Sequence, residues 1–223
     1  MKQNLMMKEL EAFMADANFP WAVCGGFALD LFLDKTIRTH GDIDVCVFEP
    51  DRPAVLRYML SHVWTVYEFR GQGKVRPLDG TALSEPGRNL MCLKEDCSIV
   101  RFYPCEDEGL LYHLFFHTGL ASLNYIEFLF GIADGEDLVF DGQRGLVRTM
   151  SKAILSRDGI PYLAPEVALL HKASNAENLD YQYDFAQTYP SLNDDQRAWF
   201  SNGLDVLYPC GHPWKGTDSR MVP

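Results

Sequence analysis

The stretch WAVCGGFALDLFLDKTIRTHGDIDVCVF, residues 21–48, decides the fold. Its apolar opening, residues 21–24, predicts a short buried strand that ends at two adjacent glycines. Residues 27–33 then predict a helix, and residues 42–48 predict a second strand. The segment is therefore a strand–helix–strand unit, with glycines before its helix and acidic residues at the start of its second strand.

The two glycines, Gly25 and Gly26, stand where the helix begins. Because glycine has no Cβ, the backbone at this point can approach a ligand closely. The first turn of a helix also presents unpaired N–H groups and the positive end of the helix dipole. Such a turn is suited to phosphate binding, so we expect Gly25 and Gly26 to contact a phosphate group.

Two aspartates open the second strand. Residues two apart on a strand share a face, so Asp42 and Asp44 point the same way while Ile43 and Val45 point into the core. Two neighbouring carboxylates repel each other unless a cation lies between them, and hard oxygen ligands suit magnesium. The pattern therefore predicts a magnesium site. The purely structural interpretation is a glycine turn beside a strand with two solvated aspartates.

A glycine pair, a helix and Asp-hydrophobic-Asp on the next strand resemble the signature of the DNA polymerase β-like nucleotidyltransferase superfamily. The longer pattern GG-x-A-L-D-L-F-L followed by R-x-H-G-D-I-D-V, within residues 25–45, resembles its aminoglycoside and lincosamide nucleotidyltransferase branch. The segment YLAPEVALLHKA at 162–173, YDF at 183–185 and HPW at 212–214 resemble the same branch. The resemblance is weak between residues 50 and 120.

The resemblance implies an α+β nucleotidyltransferase fold, a mixed β-sheet flanked by helices, followed by a small helical C-terminal region. We expect a catalytic domain over residues 1–163 and a helical region over residues 164–223 that completes the acceptor cleft. Residues 71–97 are rich in glycine, proline and charge and are predicted to be mostly loop.

Hydrophobic periodicity assigns most of the remaining elements. Helices are predicted near residues 5–13, from residue 51, and near residues 165–173, 180–187 and 194–207. Strands are predicted near residues 64–69, 98–103 and 123–130, and turn signals around residues 138–140 predict a hairpin. His113 and His117 have the four-residue spacing at which two histidines on a helix can bind a metal ion, but they lie among apolar residues without a third ligand, so they are predicted to be structural.

The superfamily usually has a third carboxylate on a neighbouring strand. The run NYIEFLF at residues 124–130 carries a single charge, Glu127. An ionised carboxylate in such a run needs a partner, and a metal ion is one, so Glu127 is predicted to complete the metal shell or to deprotonate the acceptor hydroxyl. Alternatively, Glu127 faces solvent or pairs with an arginine. Asp96, Asp107 and Asp134 are weaker rivals, because they lie in apparent loops.

Further site residues follow from the resemblance. The branch tends to carry a lysine at the position of Lys172, where it would act as a point charge for a triphosphate, although a surface lysine is the plain alternative. Arg38 is predicted to touch phosphate or to pair with a carboxylate, and His40 to lie near the metal. Asp184 is predicted to bind amino groups of the acceptor or to cap a helix. A lysine that the branch often carries shortly before the Asp-Phe pair is absent from residues 179–181.

Charge and composition narrow the partners. The net charge of −11 disfavours a nucleic-acid substrate and suits a small cationic or hydroxylated acceptor. The six cysteines form no C-x-x-C pair, residues 1–13 lack the apolar core of a signal peptide, and no apolar stretch is long enough to span a membrane. We therefore expect a cytoplasmic protein with no membrane partner.

These features together predict a magnesium-dependent nucleotidyltransferase. It would transfer a nucleoside monophosphate, with AMP from ATP favoured over another nucleoside triphosphate, to a hydroxyl of a small molecule such as an aminoglycoside antibiotic. Asp42, Asp44 and Glu127 would hold two magnesium ions. Three alternatives stay open: a toxin-type enzyme acting on tRNA or protein, a non-catalytic nucleotide-binding homologue, and an interaction protein with a coincidental motif. The sequence fixes neither the acceptor nor the oligomeric state.

Overall fold

A computed structural model describes residues 2–81, 83–116, 120 and 122–215. The helices in this part of the chain are α1 (Lys2–Met14), α2 (Gly25–Leu33), α3 (Arg52–Ser61), α4 (Met150–Ala153), α5 (Pro165–Lys172), α6 (Leu179–Thr188) and α7 (Asp194–Leu207). Single 3-10 turns cover Glu49–Asp51, Ala173–Asn175 and Tyr189–Ser191.

The same residues also contain strands, most of which follow one another without interruption between α3 and α4. They are β1 (Ala22–Val23), β2 (Asp44–Phe48), β3 (Thr65–Gly71), β4 (Lys74–Leu78), β5 (Leu90–Leu93), β6 (Val100–Pro104), β7 (Leu111–Phe115), β8 (Tyr125–Asp134), β9 (Asp137–Asp141), β10 (Leu146–Thr149), β11 (Ile154–Arg157) and β12 (Ile160–Leu163). The described residues contain both helices and strands, and the strands form a mixed sheet, so the predicted α+β class is confirmed.

The chain divides into two compact units. Residues 1–23 and 39–132 form the first unit, and residues 24–38 and 133–223 form the second. In the first unit the strand order is β1–β2–β8–β5–β3–β4–β7–β6. Strands β2 and β8 pair in parallel, whereas the other neighbours in this series pair antiparallel. The sheet is therefore mixed, as predicted. Its parallel pair consists of the strands that carry Asp44 and Glu127.

One apolar cluster fills a face of this sheet. Its fully packed members are Val75, Met91, Leu93, Ile99, Val100 and Tyr125. Met91 lies opposite Glu127 in the β5–β8 register, and Tyr125 precedes Glu127 by two residues on β8. Because paired residues and residues two apart share a face, the carboxylate of Glu127 lies on the same side of the sheet as this cluster.

The structure adds two strands to the first unit that the sequence did not predict. Residues 71–97 were predicted to be mostly loop, and most of the described residues there lie outside strands, but the segment also contains β4 and β5. β4 forms a tight hairpin with β3, whereas β5 is short and pairs with β8, far along the chain, which a local pattern does not reveal. His113 lies on β7, where its ring contacts the rings of Phe69 and Phe115. His117 lies outside the described residues.

The second unit is mainly helical. Strands β9 and β10 form the hairpin that the turn signals predicted, and β11 pairs with β12. Helix α7 spans the residues predicted for it and begins with a capping box between Asn193 and Gln196. The ring of Phe185 stacks on Trp214 at 4.5 Å between centroids and packs near Phe200 at 5.9 Å. This aromatic cluster joins α6 and α7 to the residues after α7.

A glycine sets how closely α7 approaches α5. A Cβ added at Gly203 would lie 2.5 Å from the Cδ2 atom of Leu170, whose side chain is itself buried. Contacts below about 3 Å between carbon atoms are strongly repulsive, and dense cores offer little room for a side chain to move. The absence of a side chain at Gly203 is therefore a packing requirement.

This packing yields a stability prediction. Replacing Gly203→Val should lower the free energy of unfolding by about 1–3 kcal/mol, the usual cost of overpacking a core. Denaturant unfolding followed by tryptophan fluorescence measures the change. Ser201→Val, at an exposed position of the same helix, is the matched control and should change stability by less than about 1 kcal/mol. A loss in Gly203→Val no larger than that in Ser201→Val would show that the contact with Leu170 is not responsible, because helix propensity alone favours valine over glycine.

Candidate active site

The parallel pairing of β2 and β8 brings two predicted site residues together. Asp44 and Glu127 are direct partners in the register, so their side chains project from the same face of adjacent strands. The backbone N–H of Glu127 donates to the carbonyl oxygen of Ile43 at 2.8 Å, which fixes the register at this point. Asp42 lies just before β2 and is exposed. Both carboxylates of the Asp-x-Asp motif thus come close to Glu127.

The charged form of the Glu127 side chain is destabilised by its surroundings. Burial and then the negative charge of Asp42 raise the pKa of Glu127 to about 7, against the hydrogen bonds that it accepts from Tyr125 and Asn89. The Tyr125 hydroxyl donates to the Oε2 atom of Glu127 at 3.2 Å. An apolar cluster and a second acid beside a carboxyl group both disfavour its ionised form, and this raises its pKa.

Tyr125 reports the same concentration of negative charge. Its side chain is fully buried, and burial followed by the charges of Glu127, Asp42 and Asp44 raises the pKa of its hydroxyl well above the usual value. All three predicted carboxylates therefore act on one buried hydroxyl. Sequence reasoning did not select Tyr125, although its place two residues before Glu127 in the alternating β8 pattern would have put both on one face.

The ligand preferences of magnesium show whether the three carboxylates, Asp42, Asp44 and Glu127, could bind this ion. Within the residues that the structure describes, no three His, Cys, Asp or Glu side chains already converge as a metal cage. The charge of Asp42 nevertheless raises the pKa of Glu127, so a cation near both groups would be stabilised. Magnesium takes oxygen ligands, retains several waters and shares substrate phosphates, so it needs only one or two carboxylates from the protein. The residues present fit such an ion.

The glycine pair lies in the second unit at the start of α2. Gly25 has φ = +63°, a left-handed conformation that residues with a Cβ rarely adopt, and the preceding Cys24 is extended. Helix α2 begins at Gly25. Its C-cap residue, Asp34, also has a left-handed backbone conformation. The motif therefore forms the predicted turn into a helix, with Gly25 as the residue that requires glycine.

Three further predicted residues form one cluster in the second unit. The Nε and Nη2 atoms of Arg38 donate to the two oxygens of Asp184 at 2.7 and 2.9 Å. The Nζ atom of Lys172 lies 3.0 Å from Asp184 Oδ2 and 4.3 Å from the centre of the Tyr181 ring. Asp180 lies 3.4 Å from Arg38. Arg38 thus pairs with a carboxylate, which is one of the two contacts predicted for it.

Asp184 is fully buried at the centre of this cluster. Burial alone would raise its pKa, but the hydrogen bond from Arg38 and the charges of Lys172 and Arg38 outweigh burial and lower the pKa. Both oxygens contact cationic groups, so the carboxylate neutralises the charges of Arg38 and Lys172 and holds the two side chains in place. The predicted contact between Asp184 and an acceptor stays a prediction.

The rival carboxylates lie elsewhere. Asp107 pairs with Lys74 at 2.5 Å beside the turn between β6 and β7, Asp96 is exposed after β5, and Asp134 is exposed at the end of β8. His40 is buried next to the Asp-x-Asp motif in sequence. Asn89, which donates to Glu127, was missed because it lies in the region where the sequence pattern is weakest.

Comparisons with known proteins agree with this geometry. The family model described as aminoglycoside-2''-adenylyltransferase matches residues 6–76. A crystal structure of ANT(2'')-Ia in complex with adenylyl-2''-tobramycin has 10% sequence identity and a TM-score of 0.52, covering 93% of this chain and 99% of that chain. A solution structure of the antibiotic-resistance factor ANT(2'')-Ia has 11% identity and a TM-score of 0.52, covering 94% and 96%.

None of the curated proteins matches the chain significantly in sequence. No helix among the described residues is long and apolar enough to cross a membrane. The likeness to ANT(2'')-Ia at this identity concerns the fold, and the family match concerns the part of the chain that holds the glycine pair and the two aspartates. Together they confirm the predicted resemblance: the chain has a fold similar to that of ANT(2'')-Ia, and residues 6–76 match the aminoglycoside-2''-adenylyltransferase family model.

Proposed function

We propose that this protein is a magnesium-dependent nucleotidyltransferase that transfers AMP from ATP to a hydroxyl of an aminoglycoside. The observation that carries the proposal is the pairing of Asp44 with Glu127, beside Asp42, in the segment matched by the adenylyltransferase family. A cation-dependent phosphoryl transfer requires neighbouring carboxylates that bind the metal ion, and a cation bound between them offsets the repulsion between their like charges.

Two observations favour an aminoglycoside as the acceptor. One structural neighbour, ANT(2'')-Ia, is described in complex with an adenylylated tobramycin. Aminoglycosides are polycations, and this chain has a net charge of −11, which favours their approach and disfavours an RNA backbone. These observations support the acceptor class and leave the individual drug to experiment.

Asp42, Asp44 and Glu127 would hold the magnesium ions. Bound magnesium would neutralise the triphosphate and lower the pKa of the attacking hydroxyl. In the transfer, the acceptor oxygen forms a bond to the α-phosphorus of ATP, the bond to the bridging oxygen breaks, and pyrophosphate leaves. Glu127 accepts the hydroxyl proton.

The nucleotide would be held by the glycine turn and by two cationic side chains. Gly25 and Gly26 would present backbone N–H groups to its phosphates, and Arg38 and Lys172 would supply positive charge. The contacts of Asp184 favour a role in orienting these two cations. We further propose the division already expected from the sequence, with catalysis over residues 1–163 and acceptor contacts over residues 164–223. The six cysteines form no disulfide bond with one another, which supports a reducing cytoplasm.

Removing a metal ligand tests the proposed function directly. Asp44→Asn should reduce pyrophosphate release from ATP in the presence of an aminoglycoside at least roughly 100-fold, because a ligand and a negative charge are lost together. Release would be measured with ATP, GTP, CTP and UTP against a panel of aminoglycosides and lincosamides. Asp96→Asn, an exposed aspartate of the same unit and one of the rival carboxylates, is the matched control and should retain full activity.

Each outcome of this assay has a definite meaning. Release with one acceptor that Asp44→Asn abolishes establishes the reaction and identifies the substrate. Loss of activity in Asp96→Asn would transfer the role of third carboxylate to that residue. If wild type binds Mg-ATP but no drug supports release, the aminoglycoside is the wrong acceptor, and tRNA, protein and metabolite hydroxyls are assayed next.

The Asp184 cluster makes a prediction about stability and pH. Asp184→Asn should lower the free energy of unfolding at pH 7 by about 2–4 kcal/mol, because Arg38 and Lys172 lose a buried counter-charge. The folded-state pKa of Asp184 is lowered, so this stabilisation exists above the ordinary carboxyl pKa of about 4 and is lost as pH falls through the lower folded-state value. The difference between wild type and variant should therefore shrink below about pH 4.

Thermal unfolding of both proteins across that pH range measures the effect. Asp180→Asn is the control, because Asp180 is largely exposed and its ion pair with Arg38 is longer. Its effect at pH 7 should stay within about 1 kcal/mol. A difference between wild type and Asp184→Asn that does not change with pH would show that packing, not charge, accounts for the loss.

A further inference from the structure

Tyr125 is built to hold a fixed position. Its side chain has no exposed surface, it belongs to the apolar cluster of the first unit, and its ring meets Phe115 edge-on at 5.8 Å. Its hydroxyl donates to Glu127 Oε2 at 3.2 Å. An aromatic side chain has few rotatable bonds, so close packing of the ring also fixes the direction of its hydroxyl.

Asn89 approaches Glu127 from another part of the sheet. Its side chain lies near the Glu127 carboxylate, where it lowers the pKa of that group, and its carbonyl oxygen accepts from the backbone N–H of Phe69 at 3.0 Å. It immediately precedes β5, the strand that pairs with β8. Two neutral donors, one from β8 and one from the residue before β5, therefore meet the same carboxylate.

The segment before Asn89 is held by two buried charged side chains. Arg52 donates through Nη1 to the carbonyl oxygen of Arg88 at 2.5 Å and to Ser84 Oγ at 3.0 Å. Glu68 Oε2 accepts from Ser84 Oγ at 2.9 Å and from the backbone N–H of Glu85 at 2.6 Å. Both Arg52 and Glu68 are buried, where an ionic group is costly unless it is fully bonded. The segment over residues 84–88 is thereby fixed to the sheet.

We propose that Tyr125 and Asn89 are positioning residues that hold the Glu127 carboxylate beside Asp44 in readiness for a divalent cation. Without them, the like charges of Asp42 and Asp44 would favour rotation of the Glu127 side chain away from the site. A carboxylate has about four lone-pair directions, so two donors fix its orientation and leave acceptor capacity for a cation. The inference rests on the proposed function for the meaning of the site, but it concerns cation binding and can be tested without an acceptor.

Manganese binding by the full-length protein provides the test, because free Mn²⁺ is measured directly by electron paramagnetic resonance. At pH 8, Tyr125→Phe and Asn89→Leu should each weaken Mn²⁺ binding by roughly tenfold, since each removes a hydrogen bond to a charged group and retains the bulk of the side chain. Tyr58→Phe is the matched control. Its hydroxyl donates to the carbonyl oxygen of Phe13, so it should lose thermal stability and keep its Mn²⁺ affinity.

A double-mutant cycle separates positioning from general loosening of the fold. In a Glu127→Gln background, Tyr125→Phe should have no further effect on residual Mn²⁺ binding, because the carboxylate that it positions is gone. In the wild-type background, pyrophosphate release should show a lower kcat and a nearly unchanged KM for the nucleotide. Equal effects of Tyr125→Phe in both backgrounds would show that the hydroxyl acts through the fold and not through Glu127.

The outcomes distinguish this inference from the proposed function. If folded Tyr125→Phe and Asn89→Leu bind Mn²⁺ like wild type, the positioning role is wrong whatever the enzyme does. If wild type releases no pyrophosphate with any acceptor but the Mn²⁺ affinities change as expected, the positioning role stands and the acceptor assignment fails. If wild type binds no Mn²⁺, both are overturned.

Discussion

The parallel pairing of β2 with β8 is the constraint on which the site depends. It places Asp44 next to Glu127, residues that are far apart in sequence, on one face of the sheet. Two neighbouring carboxylates destabilise the sheet that carries them. Around them the two strands are apolar, and Val45, Ile126 and Phe128 are fully buried. Burial of such side chains contributes about 1.5–3 kcal/mol each, which is enough to keep the register despite the repulsion.

The buried carboxylates of this protein differ in their partners, and the difference separates structure from function. Asp184 is bonded to Arg38 and Lys172, and Glu68 is bonded to Arg70 and Arg76. These groups have cationic partners within their own unit, as expected of charges that support a fold. Glu127 instead accepts from the neutral Tyr125 and Asn89 and has acidic neighbours. A partly buried acid that receives neutral donors and faces other acids marks a functional site.

Much of this site was predictable because its signals are local. The glycine turn and the alternation of Asp42 and Asp44 follow from backbone geometry at adjacent residues, and Glu127 stood out as the single charge in an apolar strand. β4 was missed although it forms a tight hairpin with β3, because the glycine-rich turn between them was assigned to a loop; β5 was missed because it is short and its partner β8 lies far along the chain. Arg38 and Asp184 illustrate the same limit, since nothing within either segment indicates that a bidentate ion pair joins them.

Under the proposed function, the energetic cost of charging Glu127 would also favour cation binding. Burial and the negative charge of Asp42 raise the pKa of Glu127, so its charged form is less favourable than that of an ordinary carboxylate. A cation placed between Glu127 and Asp42 would remove much of this cost, and part of its binding free energy would come from relieving the repulsion. A carboxylate with an ordinary pKa and a cationic side-chain partner would make the protein more stable and would bind a metal ion less tightly. The arrangement of β2, β8 and Asn89 therefore keeps a destabilising charge cluster in place, and the same destabilisation favours cation binding.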